Sequence, residues 1–515
     1  MQPKTLQKNN PDRIYLYAAI IISLIQFYTF KYLYPYPNFL PDSYNYLRSA
    51  LRNMNANLWP VGYPKLISLV GFFTHYDTAL IFVQYFIYIA SALYFFFTFL
   101  CMITCSKWVK IGIFIFLFLN PAFIFISNYI SSDIFFTSLS LIWISQLFKI
   151  VKTPSPALII AHVFVLLLAF AVRYNALFYP IISIIVILLS NMPKGRKAFG
   201  IVAIFLTLAT FAMYTSNENK RLFGTRQFSA FGGWQLASNA LTAYEYVEER
   251  EPAPEKFAEL HTMVNNFFDT LRMKKIRAAE IEGEEEDDNK SLFAQYLWYE
   301  KGPLQKYSRV ITPTGSKRMA TVGPLYKDYG AYLIIQYPGA FFKYYVLPNT
   351  KQYFFPRPEF LSKYNMGRSI VKPEAVKWFN YDSETVVTRI GKGEVSFFDY
   401  YPVLIVCITL LFLGGSILYF TKKWYLFTSN QFRQALRIAL LFWITNLFFS
   451  VFASPIVLRY QLFNMALAFT FALPLVDFFL RAETPPAGAS TPSEDTDAPP
   501  EDSDPSQEKT ALQPL

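Results

Sequence analysis

The stretch that decides the fold is residues 77–101, DTALIFVQYFIYIASALYFFFTFLC. Its one charged residue stands at the first position, and the rest is apolar or uncharged. About 20 such residues in a helix cross the hydrocarbon core of a bilayer. Across the chain, apolar types make up 53% and charged residues only 16%, whereas soluble domains carry about 25% charged residues. The chain therefore needs lipid as the solvent for much of its surface.

Similar apolar runs recur along the chain, and they predict a polytopic α-helical membrane protein with about ten transmembrane helices. The fifth and sixth runs are short, with only residues 173–175 between them. The first run is followed by no small-residue cleavage site, which indicates an uncleaved anchor. The runs lie near residues 14–33, 77–101, 109–128, 133–150, 157–172, 175–192, 198–215, 400–420, 435–453 and 457–480.

Basic residues predict the orientation of these helices. With the N-terminus in the cytoplasm, every cytoplasmic connection is basic, as the positive-inside rule requires, and the C-terminus is also cytoplasmic. The net charge of +11 therefore reflects topology, and the chain shows no zinc-finger spacing or RNP-like segment that would indicate nucleic acid. The basic residues concerned are Lys4, Lys8, Arg13, Lys107, Lys110, Lys149, Lys152, Lys194, Arg196, Lys197, Lys422, Lys423, Arg433 and Arg437.

Four parts follow from this topology. Residues 1–216 form an N-terminal transmembrane module whose first external loop is 34–76. Residues 217–399 are long enough for a mixed extracytoplasmic domain, with helices near 234–249 and 255–276 and an acidic run at 280–288 read as a solvated loop. Residues 400–481 form the C-terminal transmembrane helices. Residues 482–515 are a Pro-rich acidic tail that is predicted to be disordered and cytoplasmic.

The first external loop is the most informative segment. It reads PNFLPDSYNYLRSALRNMNANLWPVGYPKLISLVGFF over residues 37–73. Pro41 can open a helix, and Asp42 falls in the first turn, where a carboxylate suits the helix dipole. The apolar positions predict an amphipathic helix at the membrane surface, followed by a second helix too short to span. Those positions are Tyr44, Leu47, Leu51 and Met54, with Arg48 on another face.

Several ionisable residues lie at the outer ends of predicted spans. Asp133 opens the fourth span, Arg173 lies at the outer end of the fifth, and Arg459 lies at the outer end of the last. The plain alternatives are helix-start carboxylates for Asp42 and Asp133 and snorkelling arginines. Boundary charges are nevertheless candidates for function. Lys65 in GYPKL is a candidate phosphate ligand, and His75, Arg48 and Tyr63 are further candidates, although a lone boundary His is more often structural.

The convergence of these charges on one side of the membrane suits an anionic lipid substrate. Cations at the boundary would bind its phosphate while its chain stays in the bilayer. A carboxylate beside that phosphate could take a proton from an incoming hydroxyl, and the cations would stabilise the leaving group. There is no Walker loop and no dinucleotide Gly-rich turn to indicate a soluble nucleotide donor.

Four short segments together resemble the GT-C superfamily of membrane glycosyltransferases. They are PDSYNYL at Asp42, GYPKL at Lys65, SSDIFF at Asp133 and RYNALFYP at Arg173. They are similar to bacterial relatives of protein O-mannosyltransferases and lipid A aminoarabinose transferases. The resemblance covers about the first 190 residues.

The resemblance implies a bacterial inner-membrane enzyme that takes a sugar from a polyprenyl-phosphate donor, typically with inversion. The acceptor would be a lipid, glycan or protein outside the cytoplasm. Asp42 and Asp133 would be the catalytic carboxylates, and donor-phosphate binding would fall to Lys65, Arg173 and Arg459. Many relatives have two adjacent acidic residues where this chain has Asp42-Ser43, so no metal ligand is assigned and a divalent cation is left open.

Two other classes of protein remain open from the sequence. A lipid-diphosphate-linked polysaccharide polymerase or ligase would share the membrane plan and the external arginines. A non-enzymatic transporter or assembly factor is the other alternative. Transporters usually place ionisable groups near the midplane of the membrane, whereas the notable charges here lie at the boundary, which disfavours transport.

Overall fold

The computed structural model describes residues 12–282, 295–312, 315–390 and 393–482. Every regular element in these ranges is a helix or a helical turn, and β-type pairing is limited there to four isolated bridges. The predicted disorder of the tail concerns residues 483–515, which lie outside the described ranges. So does most of the acidic run at 280–288.

Ten α-helices make up the first part of the chain. Most follow the predicted apolar runs, and α2 and α3 follow the predicted helices of the first external loop. They are α1 (Arg13–Leu33), α2 (Pro41–Leu51), α3 (Gly62–Gly71), α4 (Asp77–Leu100), α5 (Lys107–Phe118), α6 (Pro121–Ser127), α7 (Asp133–Lys152), α8 (Pro156–Val172), α9 (Tyr179–Leu189) and α10 (Lys194–Phe223).

The predicted third span is broken into α5 and α6. Pro121 cannot donate the hydrogen bond that would continue α5, so a new helix starts there. Asn120 caps this new start through its side-chain oxygen, which accepts from the backbone N–H of Ala122 at 3.0 Å. The break turns the chain while both halves stay within one apolar segment.

Residues 230–379 form a run of further helices, α11 (Ala230–Tyr244), α12 (Ala258–Glu282), α13 (Gln295–Trp298), α14 (Pro303–Ile311), α15 (Gly315–Gln336), α16 (Pro338–Phe341), α17 (Leu347–Phe354) and α18 (Pro373–Phe379). Helices α11 and α12 confirm the two helices predicted there. Buried side chains of α11 to α15, among them Trp234, Val264 and Tyr326, make a core separate from that of the membrane helices. The last three helices are α19 (Tyr401–Thr421), α20 (Asn430–Ala453) and α21 (Leu462–Ala482).

Eight helical segments in the described ranges are long and apolar enough to cross a membrane, so the chain is a multi-pass helical membrane protein. The predicted fifth and sixth spans are shorter apolar helices, Pro156–Val172 and Tyr174–Leu189. The eight longer segments are Arg13–Leu33, Asp77–Leu100, Lys107–Ser127, Asp133–Lys152, Lys194–Phe223, Ser396–Thr421, Asn430–Ala453 and Leu458–Arg481.

The amphipathic helix α2 packs on protein along its apolar face. Tyr44 and Leu47 are buried in a cluster with Ile67 of α3 and Ala375 of α18. Arg48, on another face, pairs with Glu374 at the start of α18, with Nε 3.1 Å from the carboxylate. The first external loop is therefore clamped by a segment that lies more than 300 residues later in the chain.

Helices α11 and α15 approach each other closely because glycines line their contact. A Cβ on Gly330 would lie 2.8 Å from the backbone nitrogen of Ala237, and a Cβ on Gly233 would collide with the carbonyl oxygen of Gly323. A Cβ on the adjacent Gly232 would meet only Ser229 Oγ, at 3.7 Å.

We expect Gly233→Ala to destabilise the protein by about 1–3 kcal/mol, because the two helix backbones must move apart. Gly232→Ala is the matched control. It adds a methyl group in open space to the same helix and should be neutral or stabilising by up to about 1 kcal/mol. Thermal unfolding of both variants in detergent, followed by intrinsic fluorescence, measures the difference. Equal unfolding temperatures for the two variants would refute the close packing.

Candidate functional site

Four of the predicted site residues meet in one cluster, although they lie far apart in the chain. Asp42 is in the first turn of α2, Asp133 is the first residue of α7, Arg173 follows the last residue of α8, and Arg459 precedes α21. The carboxylates therefore stand at helix N-termini and Arg173 at a helix C-terminus, where the helix dipoles favour each charge.

One parallel backbone bridge aligns the two carboxylates. It joins Asn38 to Tyr129, and the N–H of Ile130 donates to the carbonyl of Asn38 at 3.0 Å. Asp42 and Asp133 each lie four residues beyond the bridged residue of their own segment. This equal offset brings the starts of α2 and α7 to one place.

Ser43 stabilises the contact between the starts of α2 and α7 through two hydrogen bonds. Its hydroxyl accepts from the backbone N–H of Leu40 at 2.8 Å and donates to the carbonyl of Ile130 at 2.6 Å. The first bond stabilises the start of α2, and the second ties that start to the segment before α7. A carboxylate in place of Ser43 could not donate to the carbonyl oxygen, which gives a physical reason for Ser at this position.

A second parallel bridge joins Arg357 to Val457. The N–H of Leu458 donates to the carbonyl of Arg357 at 3.0 Å. Glu359 and Arg459 each lie two residues beyond the bridge. This register sets the carboxylate of Glu359 3.5 Å from Nε of Arg459.

Asp133 is the centre of the cluster. Its side chain is 2% exposed, and it pairs with Nη1 of Arg173 through one oxygen and with Nη1 of Arg459, at 3.3 Å, through the other. The hydroxyl of Ser131 donates to it at 2.8 Å. Each carboxylate oxygen thus faces a cation, as a buried charge requires.

The ring of Tyr460 lies close to the guanidinium groups of both Arg173 and Arg459. The centre of its ring lies 4.6 Å from the guanidinium carbon of Arg173 and 4.8 Å from that of Arg459. Guanidinium groups bind well to aromatic rings. Together with Asp133, the ring offsets the repulsion between the two cations.

Asp42 is the accessible carboxylate of the cluster. Its side chain is 27% exposed, and it lies 3.9 Å from Nη1 of Arg459. Burial of the other three quarters raises the pKa of the Asp42 carboxyl, and the charge of Arg459 opposes that rise. A partly exposed carboxylate with a raised pKa has the properties of a general base.

Glu359 was not predicted from the sequence, yet it completes the cluster. Its side chain is 8% exposed, and burial raises its pKa from the ordinary 4.5 to about 7. The residue has φ = 56°, in the left-handed region that costs a non-glycine residue about 1–2 kcal/mol. The available signal was weak, a lone acidic residue in the aromatic and proline-rich stretch FFPRPEF at 354–360.

Lys65 lies in the first turn of α3 and makes no direct contact with the cluster among its described hydrogen bonds and ion pairs. It donates to the side-chain oxygens of Asn53 and Asn55, at 2.8 and 3.0 Å. The turn that carries it packs on the end of α8, since a Cβ on Gly62 would lie 2.6 Å from the carbonyl oxygen of Ala171. That carbonyl is two residues before Arg173.

The three further candidates have structural partners. Arg48 pairs with Glu374. A ring nitrogen of His75 lies 2.8 Å from the carbonyl oxygen of Trp378. The hydroxyl of the fully buried Tyr63 donates to Gln84 at 3.0 Å.

A divalent cation, left open by the sequence, finds no ready ligand set. No group of three or more His, Cys, Asp and Glu residues in the described ranges is arranged to hold an ion. In the cluster, Asp42, Asp133 and Glu359 all lie within 4 Å of the guanidinium of Arg459. We assign no step to a metal.

Comparison with known proteins adds nothing to this geometry. No family model, no curated protein and no solved structure matches the chain.

We expect Asp133→Asn to destabilise the fold by about 3–5 kcal/mol, because it leaves two buried guanidinium groups without their shared counter-charge. The matched control is Asp328→Asn, which removes an exposed ion pair with Lys256 at 3.6 Å and should change stability by less than about 1 kcal/mol. Thermal unfolding in detergent compares them. A loss no larger than that of the control would show that Asp133 does not hold the cluster.

Glu359→Gln should alter how stability depends on pH. Between about pH 4.5 and 7, folded Glu359 keeps a proton that the unfolded chain loses, so its contribution falls as the pH rises through that window. The variant should match the wild type near pH 4.5 and exceed it at pH 8 by up to about 3 kcal/mol. Unfolding temperatures across this range test it, with the exposed Glu300→Gln as control. Parallel curves for wild type and Glu359→Gln would contradict the raised pKa.

Proposed function

We propose that the protein is a membrane glycosyltransferase that moves a sugar from a polyprenyl-phosphate donor to an acceptor hydroxyl. The observation that supports this most is the meeting of Asp42 with Arg459, Asp133 and Arg173 at the ends of membrane helices. A partly exposed carboxylate beside two guanidinium groups, at the boundary of a lipid-embedded bundle, suits a lipid phosphate with a reacting sugar next to it.

Asp42 takes the proton from the acceptor hydroxyl in this proposal, because it is the accessible carboxylate of the cluster and its raised pKa suits a base. The hydroxyl oxygen attacks the anomeric carbon, and the bond from that carbon to the phosphate oxygen breaks. The electron pair of this bond leaves with the polyprenyl phosphate, and the proton goes to Asp42.

Arg459 and Arg173 bind the donor phosphate and stabilise the charge that builds up on it as it leaves. A bound phosphate shares these guanidinium groups with Asp133, which already contacts both. Asp133 keeps the two groups side by side when the site is empty. Lys65, on the turn packed against the end of α8, is the third candidate cation.

The cavity beside Asp133 bears on where the sugar binds. Its volume is about 20 Å³, and Arg173, Tyr179, Asn446 and Asn464 are among its lining residues. That space holds about one water molecule. A sugar does not fit in this space, so the proposal places the sugar on the exposed side of Asp42.

The sidedness and the partners belong to the same proposal. The basic connections favour cytoplasmic termini, and the resemblance to GT-C enzymes implies the bacterial inner membrane. Residues 217–399 and the cluster would then lie outside the cytoplasm. The separate helical core of α11 to α15 is the part suited to select a lipid, glycan or protein acceptor.

We expect Asp42→Asn to lower transfer by at least about 100-fold, because an amide cannot accept the proton, while the protein still inserts and folds. Transfer from a radiolabelled polyprenyl-phosphate sugar, by purified protein in lipid, measures this. Asp328→Asn is the matched control, since Asp328 makes an exposed ion pair with Lys256 at 3.6 Å and should leave transfer unchanged. Full transfer by Asp42→Asn would end the assignment of the base.

The same transfer experiment is carried out in parallel with a lipid-diphosphate sugar donor. Transfer from the monophosphate donor alone supports the proposal. Transfer from the diphosphate donor alone would replace it with a polymerase or ligase. No transfer from either donor, against an active control enzyme, would count against an enzyme of either kind.

A further inference from the structure

Four buried polar atoms in the cluster lack a hydrogen-bond partner among the described residues. They are both carboxylate oxygens of Glu359, Nε of Arg459 and the hydroxyl of Tyr129. Glu359 and Arg459 are an ion pair at 3.5 Å without hydrogen-bond geometry. Native proteins rarely leave such groups unpaired, so each one needs an explanation.

Tyr129 is the third residue with an unpaired buried atom. Burial raises the pKa of its hydroxyl, and the charges of Arg459 and Glu359 also act on that pKa. Tyr129 is the residue bridged to Asn38, so its backbone belongs to the same pairing that brings the starts of α2 and α7 together. The unpaired atoms thus belong to three separate segments of the chain.

The backbone of Glu359 adds independent support. Its φ of 56° is unfavourable for any residue with a Cβ, and burying its carboxylate without hydrogen bonds costs further stability. Strained, poorly satisfied residues of this kind cluster at ligand-binding sites. Among the described residues, the ion pair with Arg459 at 3.5 Å opposes this cost, and burial still raises the pKa of Glu359.

We infer that Glu359, Arg459 Nε and the Tyr129 hydroxyl form a subsite for one ring hydroxyl of the transferred sugar. A hydroxyl is one donor and two acceptors. It can donate to the Glu359 carboxylate and accept from Arg459 and Tyr129, which pairs all three residues at once. Phosphate would be repelled by the carboxylate, so this part of the cluster recognises a neutral polar group. The inference rests on the proposed function and names the part of the substrate that is recognised.

The subsite lies next to the proposed base. Asp42 and Glu359 both lie within 4 Å of the guanidinium of Arg459, at 3.9 and 3.5 Å. A sugar whose anomeric carbon faces Asp42 therefore has its ring hydroxyls within reach of Glu359. Glu359 would position the ring, and Arg459 would contact both the ring and the leaving phosphate.

The first test removes, in turn, one ring hydroxyl from the sugar and the carboxylate of Glu359 from the protein. The probes are a polyprenyl-phosphate hexose that supports transfer and its monodeoxy analogues. Wild type should lose about 10- to 100-fold in kcat/KM for one deoxy position, because the analogue leaves a buried charged group unpaired. With the parent sugar, the kcat/KM of Glu359→Gln should fall by a similar factor relative to wild type. Replacing the parent sugar by that analogue should lower the kcat/KM of the variant little further. Glu300→Gln, an exposed control, should keep the wild-type pattern.

Two results of this test would overturn the inference. One is a wild type that accepts every deoxy analogue equally well. The other is a Glu359→Gln variant that keeps the wild-type preference, which would mean that Glu359 has only a structural role. Glu359→Gly guards against a folding defect, since it relieves the φ strain and should be at least as stable as wild type at pH 8. An unstable Glu359→Gly would also count against a strained binding residue.

A second readout separates this inference from the proposed function. Unfolding temperatures are measured in the presence of hexose 1-phosphates or of inorganic phosphate. This measurement does not depend on sugar transfer. A larger rise with one hexose 1-phosphate than with phosphate, lost in Glu359→Gln, supports the subsite even if no transfer occurs. No extra rise with any sugar of the panel would show that the unpaired atoms bind only water.

Discussion

The cluster depends on the ion pairs of Asp133. Its carboxylate is almost completely buried and contacts Arg173 and Arg459 through different oxygens. Removing one partner of such a pair leaves an uncompensated charge in a medium that solvates it poorly. These contacts join α7 to the end of α8 and to the start of α21, so one side chain fixes three membrane helices from both ends of the sequence.

Much of the membrane architecture could be predicted from the sequence, because apolar length alone sets a spanning helix. The predicted runs all contain helices. The break at Pro121 follows from proline chemistry, but its consequence, two helices in one span, depends on how Asn120 caps the second one. Helix α2 was predicted to be amphipathic and to lie at the membrane surface. Its apolar face packs on α3 and α18, and no local pattern reveals the contact with α18.

The site was predictable only in part. Asp42, Asp133, Arg173 and Arg459 could be placed together because topology puts helix ends on one side of the membrane. Glu359 could not, since its position comes from a backbone bridge between residues 100 apart and its conformation is one that local sequence does not favour. Lys65 stays a prediction, because its charge suggested a direct role and its observed partners are two asparagine side chains.

The shortness of α8 has a consequence for the lipid around the cluster. Its 17 residues rise about 25 Å along the helix axis, less than the roughly 30 Å of an average hydrocarbon core. Ile160 and Phe164 on this helix are more than half exposed, so one apolar face of α8 is free to contact lipid. A helix that is too short thins the adjacent bilayer. Because Arg173 directly follows α8, a bilayer thinned around this helix would bring its headgroup layer toward the guanidinium groups of Arg173 and Arg459.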